Sequence, residues 1–364
     1  MIKILELFGG IGACSKALER LGIDYEIADY VEIDKYAVKS FNAIHNTNFE
    51  PQDICKWDKD IEVDLIMHGS PCQDFSLAGK QAGGDKDSGT RSSLMYETIR
   101  IVEKLKPKYV IWENVKNLLS KKHRHNFDAY LETMESLGYT NYYQVLNAKD
   151  YGIPQNRERV FTISILGDES FEFPEKQELK LKLKDMLEDE VDEKYYLSDE
   201  MLNNISYVSK KYNEFLNEKG YIPEMLNPYN KTEIKDIAPT QSTQCGSSTS
   251  SSTVLLKSKC KRLKSLIDKT EFEEGKVLNM DLYNQTTNEN ISQCLTEPHH
   301  NSQRLFDGLR IRKLTPKECW RLMGFDDEDF EKASRVNSNT QLYKQAGNSI
   351  CVPVLMAIFK ELIK

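Results

Sequence analysis

A cysteine with polar neighbours is the first feature of this sequence that could perform chemistry. Cys72 stands within residues 69–73 (Gly-Ser-Pro-Cys-Gln), directly after an apolar stretch at residues 64–68. Pro71 restricts the backbone just before the thiol. A cysteine at the end of a buried strand is often only a packing residue, but glycine, serine, proline and glutamine around it are typical of an exposed functional turn. We therefore predict that Cys72 is a nucleophile at the mouth of a cleft.

A carboxyl group that could act as an acid follows another apolar stretch. Glu113 begins the motif Glu-Asn-Val directly after residues 109–112. A carboxyl group at a strand end inside a cleft can have its pKa raised by burial and can then serve as a general acid. The alternative interpretation of Glu113 is a charged neighbour of a helix N-cap.

Two arginines precede the apolar stretch at residues 160–166. Residues 155–159 read Gln-Asn-Arg-Glu-Arg, which places Arg157 and Arg159 at alternate positions. We expect these two side chains to point to opposite sides. One of them can form structural ion pairs, while the other can donate to a carbonyl oxygen in the site.

A glycine-rich turn could hold a cofactor. Residues 8–12 read Phe-Gly-Gly-Ile-Gly, between a predicted strand and a predicted helix. Glycines let a ligand approach the backbone, and free amides at a helix N-terminus favour a carboxylate or phosphate, although tight turns also use glycine for packing. Glu32 lies about 20 residues further on, where an acidic side chain can accept ribose hydroxyls. Asp53, after a further short predicted strand, could accept from an adenine amino group. Acceptors at successive strand ends predict an adenosine-containing cofactor, and the glycine spacing differs from the dinucleotide motif G-x-G-x-x-G.

Alternation of apolar stretches and amphipathic segments predicts the elements that position these motifs. The predicted strands are residues 3–8, 25–31, 64–68, 109–112, 142–147 and 160–166, and the predicted helices are residues 13–21, 35–46, 92–105 and 126–137. This order predicts an α/β fold with a mostly parallel sheet and helices on both faces. Ligands on such a sheet bind beyond the carboxyl ends of its strands, which is where the motifs fall.

The rest of the chain divides into two parts. Residues 169–309 are rich in charged, serine and threonine residues and predict a smaller, loop-rich second domain. Residues 310–364 return to order, with a helix that Thr315 caps and Gly324 ends, and a last helix from about residue 349 to residue 363. Residues 345–349 (Gln-Ala-Gly-Asn-Ser) have the composition of a helix cap and could also close the cofactor pocket from behind. We expect residues 310–364 to pack on the first domain, residues 1–168.

Composition sets the broad class of protein. Hydrophobic residues make up 39% of the chain and charged residues 29%, and no apolar stretch has the length of a membrane span. Residues 2–8 are expected to be a strand and not a signal peptide, which predicts a cytoplasmic protein. The eight cysteines include no C-x-x-C pair, so no metal site is indicated. The net charge of −8 argues against a nucleic-acid partner, but basic clusters at residues 121–124 and 257–264 can contact phosphates locally.

Taken together and in this order, the motifs resemble those of the C5-cytosine DNA methyltransferase family over residues 2–167 and 310–364. The resemblance implies a Rossmann-like methyltransferase fold that uses S-adenosylmethionine. It also implies that Cys72 attacks C6 of cytosine, Glu113 donates to N3 and Arg159 holds O2, with Arg157 beside them. The cofactor residues that it implies are Phe8, Gly9, Gly10, Gly12, Glu32, Ile33, Asp53, Ile54, Leu94, Asn348 and Ser349.

The same resemblance implies the partners. The substrate is double-stranded DNA, and the target cytosine is flipped out because its reacting atoms are unreachable inside a duplex. Residues 73–91 are expected to be a lid over the site. Residues 169–309 correspond to the target-recognition domain of the family, with amides and hydroxyls for base edges and cations for phosphates. We expect a monomer without membrane contact. A cognate restriction endonuclease in the same system, not bound to the chain, is compatible with this interpretation.

Two departures and three alternatives stand beside this resemblance. Ser70 occupies a position that is often aromatic in the family, and Asp74 one that is often proline. A transfer-RNA cytosine methyltransferase of the same fold would lack a large recognition domain, whereas residues 169–309 are present here. An inactive DNA-holding module would have lost the thiol or the acid, and Cys72 and Glu113 are both present. A dehydrogenase would need a different glycine spacing.

Overall fold

The computed structural model describes residues 1–70, 94–195 and 314–363, and the backbone of seven short strands between residues 226 and 312. Cys72, the segment 73–91 and the basic cluster at residues 257–264 lie outside the described residues. The predictions made for them therefore stay predictions.

A six-stranded sheet forms the centre of the described structure. Its strands are β1 (Ile2–Leu7), β2 (Tyr25–Val31), β3 (Leu65–His68), β4 (Tyr109–Val115), β5 (Tyr139–Asn147) and β7 (Glu158–Leu166). A short strand outside this sheet, β6 (Gln155–Asn156), precedes β7 in the chain. The order across the sheet is β2-β1-β3-β4-β7-β5. Strands β1 to β4 pair in parallel, and β7 runs antiparallel to both of its neighbours. The predicted α/β fold with a mostly parallel sheet is confirmed.

Helices follow the strands as the sequence pattern predicted. The first four are α1 (Ala13–Leu21), α2 (Lys35–His45), α3 (Met95–Leu105) and α4 (Arg124–Ser136). Four more lie near the carboxyl end of the chain: α5 (Pro316–Arg321), α6 (Asp327–Ser334), α7 (Asn339–Asn348) and α8 (Val352–Leu362). Short 3-10 turns lie at Ile54–Lys56, Lys116–Leu119, Ala148–Tyr151, Leu183–Met186 and Glu193–Tyr195. No helix among the described residues is long and apolar enough to cross a membrane.

Both faces of the sheet are buried, because successive side chains of a strand point to opposite faces. Ile4 of β1 belongs to the apolar cluster that α1, α5, α7 and α8 cover, which we call the α1 face. Leu5, its neighbour, belongs to the cluster that α3 and α4 cover, which we call the α3 face. In β4, Ile111 and Val110 divide between the two faces in the same way. The predicted helices on both faces are therefore confirmed.

The carboxyl-terminal residues complete the α1 face. Thr315 caps α5 and forms the predicted capping box with Glu318. Lys16 of α1 forms a buried ion pair with Asp329 of α6, with 3.0 Å between Nζ and Oδ1. This pair joins α1 to a helix that lies more than 300 positions further along the chain.

Two details of the carboxyl-terminal prediction are wrong. The last helix begins at Val352, and residues 345–348 end the preceding helix α7, with Ser349 as its C-cap. The sequence interpretation also missed α6 and α7 as separate helices. Asp326 caps α6 in a capping box with Asp329, and this spacing was the signal that could have revealed α6.

Residues 171–195 pack on the α1 face, to which Phe171, Leu183, Met186 and Tyr195 contribute buried side chains. The short strands that follow are β8 (Leu226–Asn227), β9 (Thr232–Glu233), β10 (Ala238–Pro239), β11 (Leu278–Asp281), β12 (Thr286–Glu289), β13 (Gln303–Phe306) and β14 (Ile311–Arg312). Strands β11 to β14 form an antiparallel sheet in the order β12-β11-β13-β14, and β10 pairs with β6.

Candidate active site

The glycine turn between β1 and α1 has a backbone that only glycine adopts easily. Gly10 and Gly12 have φ angles of 57° and 81°. A Cβ atom at Gly12 would collide with the ring of His45, whereas one at Gly10 would meet nothing within 4 Å. Gly12 is therefore required for packing, and Gly10 borders open space into which a ligand can fit.

Glu32, at the end of β2, faces this turn. Its Oε2 accepts from the amide of Gly10 at 3.2 Å, and its Oε1 accepts from the amide of Asp34 at 2.8 Å. Burial raises the pKa of Glu32, and these two backbone donors oppose the rise. Each carboxylate oxygen retains a further lone pair, so the side chain can still accept from a bound hydroxyl.

The segment that carries Asp53 and Ile54 is held beside Glu32. The amide of Gln52 donates to the carbonyl oxygen of Glu32 at 2.8 Å. No strand lies in residues 46–53, so the short strand predicted before Asp53 is wrong. Instead the Asp53 side chain accepts from the amide of Cys55 at 3.0 Å and caps the 3-10 turn.

Apolar side chains complete this corner. Ile54 belongs to the cluster of the α3 face, and Phe8 and Leu94 pack against the same cluster. Ile33 is 70% exposed. The structure therefore brings the glycine turn, Glu32, the Asp53 segment and Leu94 to one edge of the sheet.

Helix α7 lies against the same corner. Lys344 forms an ion pair with Asp34, with 2.6 Å between Nζ and Oδ2, and the side-chain amide of Gln345 donates to the carbonyl oxygen of Tyr36 at 3.0 Å. Asn348 lies one turn beyond Lys344 and is exposed, whereas Ser349 is buried. The contacts of Lys344 and Gln345 thus hold α7, whose end carries Asn348 and Ser349, against the residues that follow Glu32.

A buried carboxyl group of the chain itself occupies part of the helix α1 N-terminus. Glu6 of β1 is 2% exposed, and its Oε1 accepts from both the amide and the hydroxyl of Ser15. An internal carboxyl group thus already accepts from one of the amides that a ligand carboxylate or phosphate could use. The sequence interpretation missed Glu6, because an acidic residue inside an apolar strand does not show which helix will cover it.

Glu6 should make the stability of the protein depend on pH. Burial raises the pKa of Glu6 to about 7 from an ordinary value of 4.5. Because this pKa is raised in the folded state, the contribution of Glu6 to the free energy of unfolding is fully present below pH 4.5. It falls by about 3 kcal/mol as the pH rises through 7. The free energies of unfolding at pH 5 and at pH 8.5 should therefore differ less in Glu6→Gln than in the native chain. Glu50→Gln, at an exposed position, is the control; an equal pH dependence in native and Glu6→Gln chains would refute this assignment.

Glu113 of β4 and Arg159 of β7 lie together in the sheet. Glu113 lies inside β4, paired with Phe161 of β7, so the expectation that β4 ends at Trp112 and the N-cap alternative are both wrong. Its Oε1 lies 3.1 Å from Nε of Arg159, without the alignment of a hydrogen bond. Burial raises the pKa of Glu113, and the charges of Arg159 and Arg157 oppose the rise. Burial thus favours the protonated carboxyl group that a general acid needs, and the neighbouring cation partly opposes it.

The two arginines do not point to opposite sides, because both charges lie near Glu113. Residues two apart in an extended chain share a face, which the sequence interpretation overlooked. Arg157 is 4% exposed and donates to the carbonyl oxygens of Gly347 and Ser349 at 3.1 and 2.6 Å. Arg157 thus ties the end of α7 to the strand that carries Arg159.

The chain that leads to Cys72 leaves β3 beside Glu113. A Cβ atom at Gly69 would lie 3.8 Å from Oε2 of Glu113 and 3.7 Å from Cδ1 of Ile350. The next residue, Ser70, accepts at Oγ from the indole N–H of Trp112 at 3.0 Å. Its carbonyl oxygen accepts from the side-chain amide of Asn114 at 3.3 Å. Cys72 follows two residues later in the sequence.

The sequence matches a known protein family. Residues 2–364 match the model described as C-5 cytosine-specific DNA methylase. The chain belongs to this family. The resemblance found in the motifs is confirmed, and the match of this DNA methylase extends through the middle of the chain.

Relatives of the DNA methylase carry methyltransferase names. It is 35% identical to the type II methyltransferase M2.ScrFI of Lactococcus lactis subsp. cremoris, over 100% of this chain and 99% of that protein. It is 34% identical to the orphan methyltransferase M.SPRI of Bacillus phage SPR, over 100% of this chain and 97% of that protein. The enzyme class predicted from the sequence, a DNA cytosine-5 methyltransferase, is confirmed.

Solved structures support the fold of the DNA methylase. The Entamoeba histolytica methyltransferase EhMeth is similar with a TM-score of 0.61 and 17% identity, over 100% of this chain and 99% of that one. The S. pombe Dnmt2 methyltransferase is similar with a TM-score of 0.58 and 17% identity, over 100% of both chains. At such low identity, these similarities bear on the fold alone.

Proposed function

We propose that this DNA methylase transfers a methyl group from S-adenosylmethionine to C5 of a flipped-out cytosine, through a covalent bond between Cys72 and C6. The observation that carries this proposal is the buried Glu113 carboxyl group, 3.1 Å from Arg159 and beside the strand end that leads to Cys72. An acid and a cation at this place can withdraw electrons from a pyrimidine ring.

The proposed steps follow from what these side chains can donate. The thiolate of Cys72 adds to C6, protonated Glu113 donates its proton to N3, and Arg159 donates a hydrogen bond to O2. The electron pair displaced from the C5–C6 double bond then makes C5 nucleophilic. After methylation, a base removes the C5 proton, the N3 proton returns to Glu113, and Cys72 leaves C6 by elimination as the thiolate that began the cycle. Such covalent catalysis divides one difficult substitution into easier steps.

We propose a different task for Arg157. Because both of its described carbonyl contacts are to the end of α7, Arg157 is assigned to hold that segment near the site. Its positive charge also lowers the pKa of Glu113, and so adjusts the acid at a distance.

The glycine turn and Glu32 support an adenosine-containing cofactor. Gly10 borders open space, and Glu32 offers acceptor positions for ribose hydroxyls. Glu6 accepts from the Ser15 amide at the α1 N-terminus, so that amide is not assigned to the carboxylate of the cofactor. When bound, S-adenosylmethionine supplies an activated methyl group on its sulfonium. The residues proposed to hold it are Phe8, Gly9, Gly10, Gly12, Glu32, Ile33, Asp53, Ile54, Leu94, Asn348 and Ser349.

The proposed substrate is double-stranded DNA, bound by a monomer. Residues 169–309 are proposed as the target-recognition domain, although residues 171–195 also pack against the α1 face of the catalytic domain. The relatives named as type II and orphan methyltransferases are compatible with a chain that acts with or without a cognate restriction endonuclease.

The test is methyl transfer from labelled S-adenosylmethionine to duplex DNA and, in parallel, to transfer RNA. The proposal expects label in DNA, at C5 of cytosine, and none in RNA. Bisulfite sequencing of host DNA after expression then reports the modified base and its context. Label in RNA alone would overturn the proposal.

A further inference from the structure

The backbone that leads to the proposed nucleophile is held by two side chains of a neighbouring strand. Trp112 and Asn114 of β4 both contact Ser70, one at the hydroxyl and the other at the carbonyl oxygen. Ser70, Trp112 and Asn114 are 3%, 1% and 2% exposed, so no solvent competes for these bonds.

The same strand carries the proposed acid, Glu113, on its other face. Residues 112 and 114 point to one face of β4, and Glu113 points to the other. Trp112 belongs to the α3 face, whereas Ile350, which neighbours Glu113 across Gly69, packs on the α1 face. Residues 112–114 of β4 thus hold Ser70 with one face of the strand and carry Glu113 on the other.

Ser70 and Trp112 are matched chemically. A buried indole N–H needs an acceptor, and the Ser70 hydroxyl supplies it at 3.0 Å. The ring of Trp112 is itself fixed, because it stacks on His68 with an interplanar angle of 6° and contacts Tyr130 with 4.3 Å between ring centroids. An aromatic residue at position 70 would leave this N–H without its acceptor.

We propose that the hydrogen bond from Trp112 to Ser70 positions the Cys72 thiol against the cytosine ring, which makes Ser70 and Trp112 positioning residues for the methyl transfer. This inference rests on the proposed function, since it requires Cys72 to be the nucleophile. Cys72 is only two residues from Ser70, so a shift of the Ser70 backbone is transmitted to the thiol with little chain to absorb it.

The test compares the kcat and KM of variants with those of the native chain on duplex DNA. Ser70→Ala and Trp112→Phe should each lower kcat about tenfold, because small displacements of a reacting group are costly, and should leave the KM for S-adenosylmethionine within about twofold. Ser70→Thr, which keeps the hydroxyl, should recover most of the lost kcat. The double variant should be no slower than the slower single variant, because both changes remove one interaction.

A matched control separates positioning from general loss of stability. Trp320 is also fully buried, and its indole N–H donates to the carbonyl oxygen of Leu342 at 2.9 Å, far along the chain from Cys72. Trp320→Phe should therefore lower the melting temperature while leaving kcat within about twofold. A kcat within twofold in Ser70→Ala, or losses that multiply in the double variant, would overturn the inference. A native chain that methylates no DNA would instead refute the proposed function.

Discussion

Replacing Cys72 with serine should abolish methyl transfer while leaving the binding of S-adenosylmethionine nearly unchanged. A hydroxyl group is far less acidic than a thiol and forms almost no anion near neutral pH, so it adds poorly to C6. The cofactor residues proposed above do not include position 72, so cofactor affinity has no reason to fall. Turnover with labelled cofactor and calorimetric titration of the cofactor measure the two quantities separately.

A duplex that contains 5-fluorocytosine makes the same prediction visible as a covalent bond. Fluorine cannot leave as a proton does, so the adduct at Cys72 should persist and be found by mass spectrometry of the digested protein. Cys55→Ser is the control, since Cys55 is an exposed thiol and the same substitution there should not prevent trapping. Turnover retained in Cys72→Ser, or an adduct at another residue, would contradict the assignment of the nucleophile.

The sequence predicted the middle of the central sheet well because β3, β4 and β7 are largely apolar and buried on both faces. The bounds of β2 and α1 were predicted at Tyr25–Val31 and Ala13–Leu21 and are confirmed. A continuous apolar run between polar segments has few other solutions in a chain of this kind. The composition of residues 8–12 likewise revealed a strand-to-helix turn, which the positive φ angles of Gly10 and Gly12 confirm.

Local patterns could not show which polar residues are buried by the tertiary structure. Glu113 interrupts an apolar run, so the sequence interpretation ended β4 at Trp112, but pairing with β7 carries the strand on to Val115. In the sequence, Trp112 is only the last residue of an apolar stretch, and Ser70 is only a departure from a family pattern. Their hydrogen bond spans 42 positions of the sequence, and no spacing rule connects residues so far apart.

Replacing Glu113 with glutamine should lower the rate of methyl transfer by roughly 100-fold or more, the usual scale for a general acid. The amide keeps the size of the side chain and can donate a hydrogen bond, but it has no acidic proton to transfer to N3. Burial raises the pKa of Glu113, so the native carboxyl group stays protonated to a higher pH than an exposed one. The native kcat should therefore fall as pH rises through that pKa, and this decline should be absent in Glu113→Gln.

Glu158→Gln provides a matched control for this last prediction. Glu158 lies next to Arg159 on β7, but its exposed carboxylate forms an ion pair with Lys116, with 3.0 Å between Nζ and Oε1. The control should keep both the native kcat, within a few-fold, and the native pH profile. If Glu113→Gln also reacts within a few-fold of the native rate, then proton donation by Glu113 is not part of the mechanism. In that case the Arg159 guanidinium, 3.1 Å from Glu113 in the native chain, would have to polarise the ring without an acid.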